Sequence, residues 1–245
     1  MKLKVLGSSS AGNCYILEND SEALILEAGV KFAEVQRALN FNINKIAGCL
    51  SSHIHSDHSR AIKDFLQYAI PVYVSKEHKQ DSGITSEKLI AVEPNSQIEI
   101  ADFSVIPFNV PHDVPCLGFL INHKESGVIL FLTDCYYCPK RFLTLNNILI
   151  EVNYRMDILD ENTRNGRISA VQRNRTLQSH MSYDTCIKTL LANDLRAVNN
   201  IVLIHLSNSN SHAQQEFKEG IRKATGKTVH IADSGLELSF NKTPF

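Results

Sequence analysis

The chain has 245 residues, 43% of them hydrophobic, and a formal net charge of −1. This length is enough for one α/β domain with a large apolar core, spanning residues 1–245, and it leaves no room for a second large domain. No run approaches the roughly 18 apolar residues of a membrane span, and the near-neutral charge excludes a basic surface broad enough to cover duplex nucleic acid.

The N-terminal residues and the cysteines indicate the compartment. Residues 1–5 begin a strand pattern and have none of the features of a signal peptide. Six cysteines are scattered along the chain, and only Cys135 and Cys138 have C-x-x-C spacing, without the second pair that a zinc site would need. Buried or incidental thiols are therefore favoured over a redox motif, and we expect a reduced, cytoplasmic protein.

Hydrophobic periodicity predicts a mixed α/β chain. Residues 31–39, 61–68, 183–191 and 214–224 have the spacing of amphipathic helices, and the apolar runs between them are typical of strands. Residues 89–132 are nearly all strand, with turns near Pro94, Asp113 and Lys124. No obvious linker or internal repeat interrupts this pattern, which favours one continuous α/β unit.

The densest group of metal-binding side chains is an H-x-H-x-D-H segment that contains His53, His55, Asp57 and His58. A strand pattern precedes it and a helical pattern follows, so the segment is predicted to be a strand-to-helix loop. There His53 and His55 can bind one metal while Asp57 and His58 turn towards a second. The alternative is a polar surface loop that contains these histidines by chance. Roughly one chain in a thousand of this composition would contain such a segment.

Further metal-binding side chains follow three other strand patterns. His112 comes after the strand pattern at residues 103–106, Asp134 follows the apolar run 128–132, and His205 follows the run 201–204. Loops at the carboxyl ends of strands converge on one edge of a sheet, so we expect these side chains to meet the histidine loop. A two-metal hydrolase needs such a set, with nitrogen ligands on each ion and a carboxylate between them.

This order of motifs resembles the metallo-β-lactamase superfamily. Within it, the chain is most similar to the WalJ/YycJ-like group, whose relatives include RNase Z, RNase J and the phosphonate-pathway cyclic phosphodiesterase. The Gly/Ser turn at residues 7–14, the strand-acid-Ala-Gly segment at 25–29, and the segments at 150–153, 179–182, 205–210 and 233–236 are similar to that group's.

The resemblance implies a four-layer αββα sandwich with two divalent metal ions at one edge, zinc being favoured and manganese or iron being the alternatives. It implies a hydroxide between the ions as the nucleophile. The implied ligands are His53, His55 and His112 for the first ion, Asp57, His58 and His205 for the second, and Asp134 as the bridge.

Glu27 departs from the family pattern, which usually has Asp at this position as a group that holds the metal loop by hydrogen bonds. Glutamate is one methylene longer, so its carboxylate can relax the loop or reach another partner. Changes in such supporting groups commonly alter metal affinity or rate by tens of fold. Because no ligand position is lost, we interpret Glu27 as tuning the site rather than inactivating it.

His180 and Glu151 are the predicted acid-base pair. Hydrolysis of a phosphodiester leaves an alkoxide that needs a proton, and His180 is predicted to stand at a helix start after an irregular segment. Glu151, at the end of a strand pattern, can orient that histidine, and the resemblance supports both roles. The alternative is a histidine that only caps the helix. Asp57 is a further catalytic candidate, to orient or deprotonate the hydroxide.

Four arginines precede His180 in a segment without acidic residues: Arg164, Arg167, Arg173 and Arg175. A flexible basic arm beside the site can follow a phosphate backbone, and an ordinary solvated loop is an equally good interpretation. By the family pattern, Ser207 and Asn210 are candidates for substrate contacts. His78 and His123 lie in polar segments that we expect to be exposed, and they and His230 are predicted to be structural rather than ligands.

These residues favour a metal-dependent phosphodiesterase that acts on nucleic acid, exonuclease-like in its reaction. A small-molecule hydrolase of the same fold, acting on a cyclic phosphate, lactone or thioester, is the alternative and could do without the basic arm. A flavodiiron oxidoreductase is disfavoured because His55 stands where that branch typically has Glu, and the complete ligand set disfavours a non-catalytic binding module. The expected partner is nucleic acid or another phosphodiester, with no membrane association, and no protein partner is indicated.

Overall fold

Two seven-stranded sheets pack face to face in the computed structural model, which describes residues 1–207 and 214–244. The strands are β1 (Lys2–Ser9), β2 (Gly12–Glu18), β3 (Ala23–Leu26), β4 (Ile46–Leu50), β5 (Val72–Val74), β6 (Leu89–Ala91), β7 (Ile98–Ile100), β8 (Phe103–Val110), β9 (Cys116–His123), β10 (Gly127–Leu132), β11 (Asn147–Glu151), β12 (Asn200–Ile204), β13 (Thr228–Ile231) and β14 (Glu237–Ser239). Their order is β14-β1-β2-β3-β4-β5-β6 in one sheet and β13-β12-β11-β10-β9-β8-β7 in the other.

Helices cover the outer faces of both sheets. They are α1 (Phe32–Ala38), α2 (Ser56–Ser59), α3 (Ile62–Gln67), α4 (Lys76–Asp81), α5 (Met156–Arg164), α6 (Ala170–Ser179), α7 (Tyr183–Leu191) and α8 (Gln214–Thr225), with a short 3-10 helix at Ile43–Lys45. One apolar core lies between the sheets, and a second and third lie between each sheet and its own helices. This is the predicted four-layer αββα sandwich.

Strand β10 shows how the sequence produces the layers. Side chains alternate along a strand, so Ile129 and Phe131 pack between the sheets while Leu130 and Leu132 pack under the helices of the second sheet. Both faces of the strand are therefore buried, which explains its uninterrupted apolar run.

The direction of the strands places the loops that follow them at one common edge of the two sheets. Strands β10, β11, β12 and β13 are mutually parallel, and β8 has the same direction because it is separated from β10 by the antiparallel β9. Strands β3 to β6 of the other sheet are also parallel. The loops that follow these strands share an edge, as the sequence predicts.

The four helices predicted from periodicity are present, with shifts of at most one residue at their ends. The prediction of a flexible basic arm before His180 is wrong. Residues 170–179 form α6, which begins at Ser169 with a capping box to Gln172. His180 ends this helix instead of opening one, and Ser182 caps the next helix, α7. Arg173 and Arg175 are therefore carried on a folded helix.

Two of the histidines expected to be exposed are buried. His78 and His123 have 3% and 1% of their surface exposed, because α4 packs against the first sheet and His123 ends β9 beside Glu22. His230 lies in β13 as predicted. The cysteines are free thiols, and five of the six are buried, which agrees with the structural interpretation. Within the described residues, no helix is long and apolar enough to cross a membrane.

Candidate metal centre

The seven predicted metal ligands meet where the two sheets share an edge. His53 to His58 lie in the loop after β4 and in α2, while His112, Asp134 and His205 follow β8, β10 and β12. All of them except His55, Asp57 and His112 are buried. The distances between their donor atoms determine whether these side chains can hold metal ions.

His53, His55 and His112 form one group of donor atoms. His55 Nδ1 lies 3.0 Å from His53 Nε2 and 3.4 Å from His112 Nε2. Four ligands at the usual zinc–nitrogen distance are separated from one another by about 3.4 Å in a tetrahedron, so this spacing fits one ion. The three imidazoles can therefore supply three corners of such a site.

Asp57, His58 and His205 form a second group. Asp57 Oδ2 lies 3.3 Å from His58 Nε2 and 3.5 Å from His205 Nε2. His205 Nε2 is buried and has no hydrogen-bond partner among the described residues, which is costly for a polar atom unless it coordinates an ion. This orphaned nitrogen is the strongest indication that the group fits a divalent cation.

Asp134 lies between the two groups. Its Oδ2 is 3.9 Å from both His53 Nε2 and His112 Nε2, and its Oδ1 is 3.4 Å from His58 Nε2. Burial alone would raise the pKa of this carboxyl, but the nearby imidazoles of His205 and His58 hold the pKa well below its usual range. An ionised carboxylate in this position can bridge two cations, and imidazole with carboxylate suits zinc, manganese or iron.

The other ring nitrogens of the ligand histidines have partners of their own. His112 Nδ1 donates to the Ser179 carbonyl at 2.7 Å, and His55 Nε2 lies 3.5 Å from Asp113 Oδ1. His53 Nδ1 is 2.9 Å from Ser52 Oγ. Such contacts orient each ring for metal binding through the opposite nitrogen. Asp113 Oδ1 also lies 3.0 Å from His112 Nε2, so this carboxylate contacts two of the ligand histidines. Neither Ser52 nor Asp113 was predicted as a site residue, although Asp113 directly follows His112.

Glu27 is fully buried beneath the histidine loop. Its two carboxylate oxygens accept from the Ser52 backbone N–H at 3.3 and 3.2 Å, and Oε2 is 3.5 Å from His58 Nδ1. The longer side chain thus reaches both the loop and a ligand histidine. Glu27 and His205 also share an unusual backbone, with φ angles of 69° and 53° in the left-handed region that non-glycine residues rarely adopt.

Glu151 and His180 form the expected pair. His180 Nδ1 lies 2.7 Å from Glu151 Oε1, which is also 3.0 Å from His205 Nδ1, while Glu151 Oε2 accepts from the backbone N–H groups of Met181 and Cys135. Burial would lower the pKa of His180, but the charge and hydrogen bond of Glu151 outweigh it and raise the pKa. Near neutral pH the imidazole is therefore biased towards its protonated form.

A cleft of about 470 Å³ opens over this cluster. His180, Asp57 and His205 lie on its floor and sides, and the polar face of α6 forms a wall. The lining residues that the sequence analysis did not identify are Ser10, Ser56, Ile168, Gln172 and Thr176.

Only one of the four predicted arginines reaches the cleft. Arg175 lines it, and its guanidinium donates to Asp113 at 3.0 Å while remaining 64% exposed. Arg173 pairs with Asp160 of α5 at 2.7 Å, Arg167 donates to Asn162, and Arg164 ends α5 on the surface. Ser207 is half-buried two residues after His205, with its N–H bonded to Asn153. Asn210 lies outside the described residues.

Comparisons with known proteins agree with this geometry. A family model described as the metallo-beta-lactamase superfamily matches residues 9–133, which is 125 of the 245 residues. Exodeoxyribonuclease WalJ of Streptococcus pneumoniae is 24% identical, with 98% of this chain and 92% of WalJ covered. Exodeoxyribonuclease YycJ of Bacillus anthracis is 25% identical, with 98% and 93% covered.

A solved structure supports the same assignment at the level of the fold. The metallo-beta-lactamase fold protein YhfI of Bacillus subtilis superposes with a TM-score of 0.72 at 18% identity, covering 97% of this chain and 98% of YhfI. The predicted resemblance is thereby confirmed: the chain belongs to the metallo-beta-lactamase superfamily of metal-dependent hydrolases.

Proposed function

We propose that residues 1–245 form a single catalytic domain, a two-metal phosphodiesterase that removes nucleotides from the ends of nucleic acid. The observation that carries the proposal is Asp134, a buried, ionised carboxylate between two groups of donor atoms, with His180 in the same cleft. The names of WalJ and YycJ, both exodeoxyribonucleases, support nucleic acid as the substrate.

The ions would be held by the two groups described above, His53, His55 and His112 on one side, Asp57, His58 and His205 on the other, and Asp134 between them. Bound there, two divalent ions supply positive charge for the phosphoryl oxygens and a hydroxide at neutral pH. Zinc is the favoured ion for this donor set, and manganese and iron are the alternatives.

His180 is the proposed general acid. Its Nδ1 is engaged by Glu151, which leaves Nε2 to donate a proton to the leaving oxygen. The raised pKa keeps that proton available near neutral pH, which suits a group that must donate it during bond cleavage. Glu151 acts through His180 and His205 by fixing both rings. Asp57, which also lines the cleft, is proposed to orient the attacking oxygen.

Arg175 is the proposed phosphate contact. Its guanidinium is the cation of α6 that lines the cleft, it is mostly exposed, and it is held at the wall by Asp113. A phosphate of the next nucleotide can share this cation by a charge-assisted hydrogen bond. Ser207, close in sequence to His205, is a second candidate for a substrate contact.

The decisive test is degradation of end-labelled single- and double-stranded DNA and RNA with added Mn²⁺ or Zn²⁺. The wild type is run beside Asp134→Ala, which removes the bridging carboxylate. Stepwise shortening that disappears in the variant is expected, and it would also give the polarity. Hydrolysis of a simple bis-ester or cyclic phosphate without any cleavage of polymer would instead assign a small-molecule hydrolase.

Two arginines of the same helix provide a matched comparison. Arg175→Ala should reduce polymer turnover about tenfold or more, because the lost contact is charge-assisted. Arg173→Ala removes an equal charge that pairs with Asp160 outside the cleft, so its polymer turnover should stay near wild type. Equal losses in both variants would contradict a specific role for Arg175.

A further inference from the structure

The connection between β10 and β11 carries two exposed aromatic rings, which follow Asp134 of the candidate metal centre by two and three residues. Tyr136 and Tyr137 are 40% and 44% exposed, although large apolar rings are normally buried. Their ring centroids are 5.1 Å apart with the planes at 62°. The pair therefore offers two separately oriented ring faces to the solvent.

The backbone beneath these rings is anchored to the centre. Tyr136 is two residues after Asp134, so the two Cα atoms are within about 7 Å, the most that two residues can span. The N–H of Cys135 donates to Glu151 at 3.1 Å, and the N–H of Tyr136 donates to the carbonyl of Pro111, next to His112. The backbone that carries the rings is thus fixed next to Asp134 and His112 of the candidate metal centre.

The same connection is basic. Lys140 and Arg141 follow the tyrosines, both are exposed, and residues 135–150 contain no Asp or Glu. Lys140 bonds Asn95 and lies over the ring of Phe108 at 5.6 Å from its centroid. Among the described residues, Arg141 has no ion-pair partner. The charge of Arg141 is therefore available to an anion.

We propose that Tyr136, Tyr137 and Arg141 form a platform for a single strand of nucleic acid, on which unpaired bases stack beside the metal centre. This rests on the proposed function and adds the substrate class: a strand whose end is unpaired. Bases inside a duplex have both faces covered by their neighbours, and a blunt end offers a single face, so an unpaired strand can place more bases on the two rings. The nearby cation fits the phosphate that accompanies each base.

The platform is tested by measuring the KM for a single-stranded oligonucleotide in variants of Tyr136 and Tyr137. Replacing both tyrosines by leucine should raise the KM for a short single-stranded oligonucleotide about 5- to 100-fold per lost base contact, whereas replacing both by phenylalanine should restore it, because stacking needs the ring and not the hydroxyl. Tyr68→Leu is the matched control, since Tyr68 is 50% exposed but stacks on Phe32 in another layer. Thermal melting of each variant checks that it is folded.

A fluorescent reporter gives a readout that does not depend on cleavage. The chain contains no tryptophan, so Tyr137→Trp introduces a single indole, whose emission a stacked base should quench. Titration of the metal-loaded variant with a phosphorothioate single strand should quench it, a blunt duplex should quench it far less, and Tyr68→Trp should not respond.

The outcomes separate this inference from the proposed function. If the wild type degrades the strand but the leucine pair has an unchanged KM, or if a blunt duplex quenches as well as a single strand, the platform is wrong and the nuclease assignment stands. If no polymer is degraded but the indole is quenched, the platform stands and the nuclease assignment falls. If there is neither degradation nor quenching, both are wrong.

Discussion

Arg175 Nε donates to Asp113 Oδ2 at 3.0 Å, so the cleft wall formed by α6 is tied to the loop that carries His112. The other oxygen of the same carboxylate lies 3.5 Å from His55 Nε2. Asp113 thus connects the outer helix layer to an imidazole of the candidate centre.

Asp113→Ala should lower the affinity of the first metal site about 10- to 100-fold, because an unsupported imidazole is less well oriented and less basic. The measurement is calorimetric titration of the metal-free protein with Zn²⁺. Asp157→Ala is the matched control, since Asp157 is an exposed carboxylate paired with Arg155 at 2.7 Å and belongs to no group of potential metal ligands among the described residues. Equal affinities for Asp113→Ala and wild type would exclude a supporting role.

His180→Ala should slow the hydrolysis of substrates according to their leaving group. With a nucleoside leaving group, which needs a proton, kcat should fall about 10²- to 10⁴-fold, whereas with a p-nitrophenyl leaving group it should fall far less. His230→Ala is the control, because His230 lies in β13, two strands away from the strand that ends at Glu151, and does not line the cleft. A similar loss on both substrates would mean that His180 does not act as the general acid.

Glu27→Asp should weaken metal binding without abolishing it. The shorter side chain cannot reach both the Ser52 N–H and His58 Nδ1, so the loop or the ligand loses a partner. We expect metal affinity to fall by roughly tens of fold, with two ions still bound per chain. Metal content after gel filtration and chelator competition measure both quantities. A higher metal affinity in Glu27→Asp than in the wild type would contradict the prediction.

His78, which is not a candidate metal ligand, should make the free energy of unfolding depend on pH. Burial lowers the pKa of His78 to about 4, from about 6.5 in an unfolded chain. The unfolded chain therefore binds a proton that the native state excludes, so the free energy of unfolding declines as pH falls from about 6.5 to about 4. The stabilising contribution of neutral His78 is fully present above about pH 6.5.

The pH effect is measured by chemical denaturation of wild type and His78→Leu, with chelator in both samples. Between neutral pH and pH near 4, the wild type should lose about 3 kcal/mol more than the variant. Protonation of the candidate metal ligands affects both proteins equally and cancels in the difference. Parallel pH curves would contradict the prediction.

The main features of the fold and the residues gathered at its edge were predictable from local sequence. Apolar runs marked β10, β11 and β12, and the polar residues that follow them fall at the shared edge because parallel strands end there. Helix α6 was missed because it lies on the surface with few apolar positions, although the Ser169–Gln172 capping box was a local signal.

Other features depend on contacts between distant segments. Residue Asp113 is far in the sequence from Arg175 and His55, so no local pattern indicates that they meet. The burial of His123 depends on Glu22 of another sheet layer, about a hundred residues away. The four arginines are alike in sequence, but Arg164 ends α5 and Arg167 lies between the helices. Arg173 shares α6 with Arg175 and points to a different face of that helix, where it pairs with Asp160.

The left-handed backbone of Glu27 and His205 has a consequence for how this chain can change. Each such residue costs about 1–2 kcal/mol that glycine would not. Glycine at either position would relieve this strain, but it would leave a buried cavity and, at position 27, an unpaired Ser52 N–H. The packing of the side chain therefore holds the strained backbone in place, and a search for stabilising substitutions is expected to leave positions 27 and 205 unchanged even without screening for turnover.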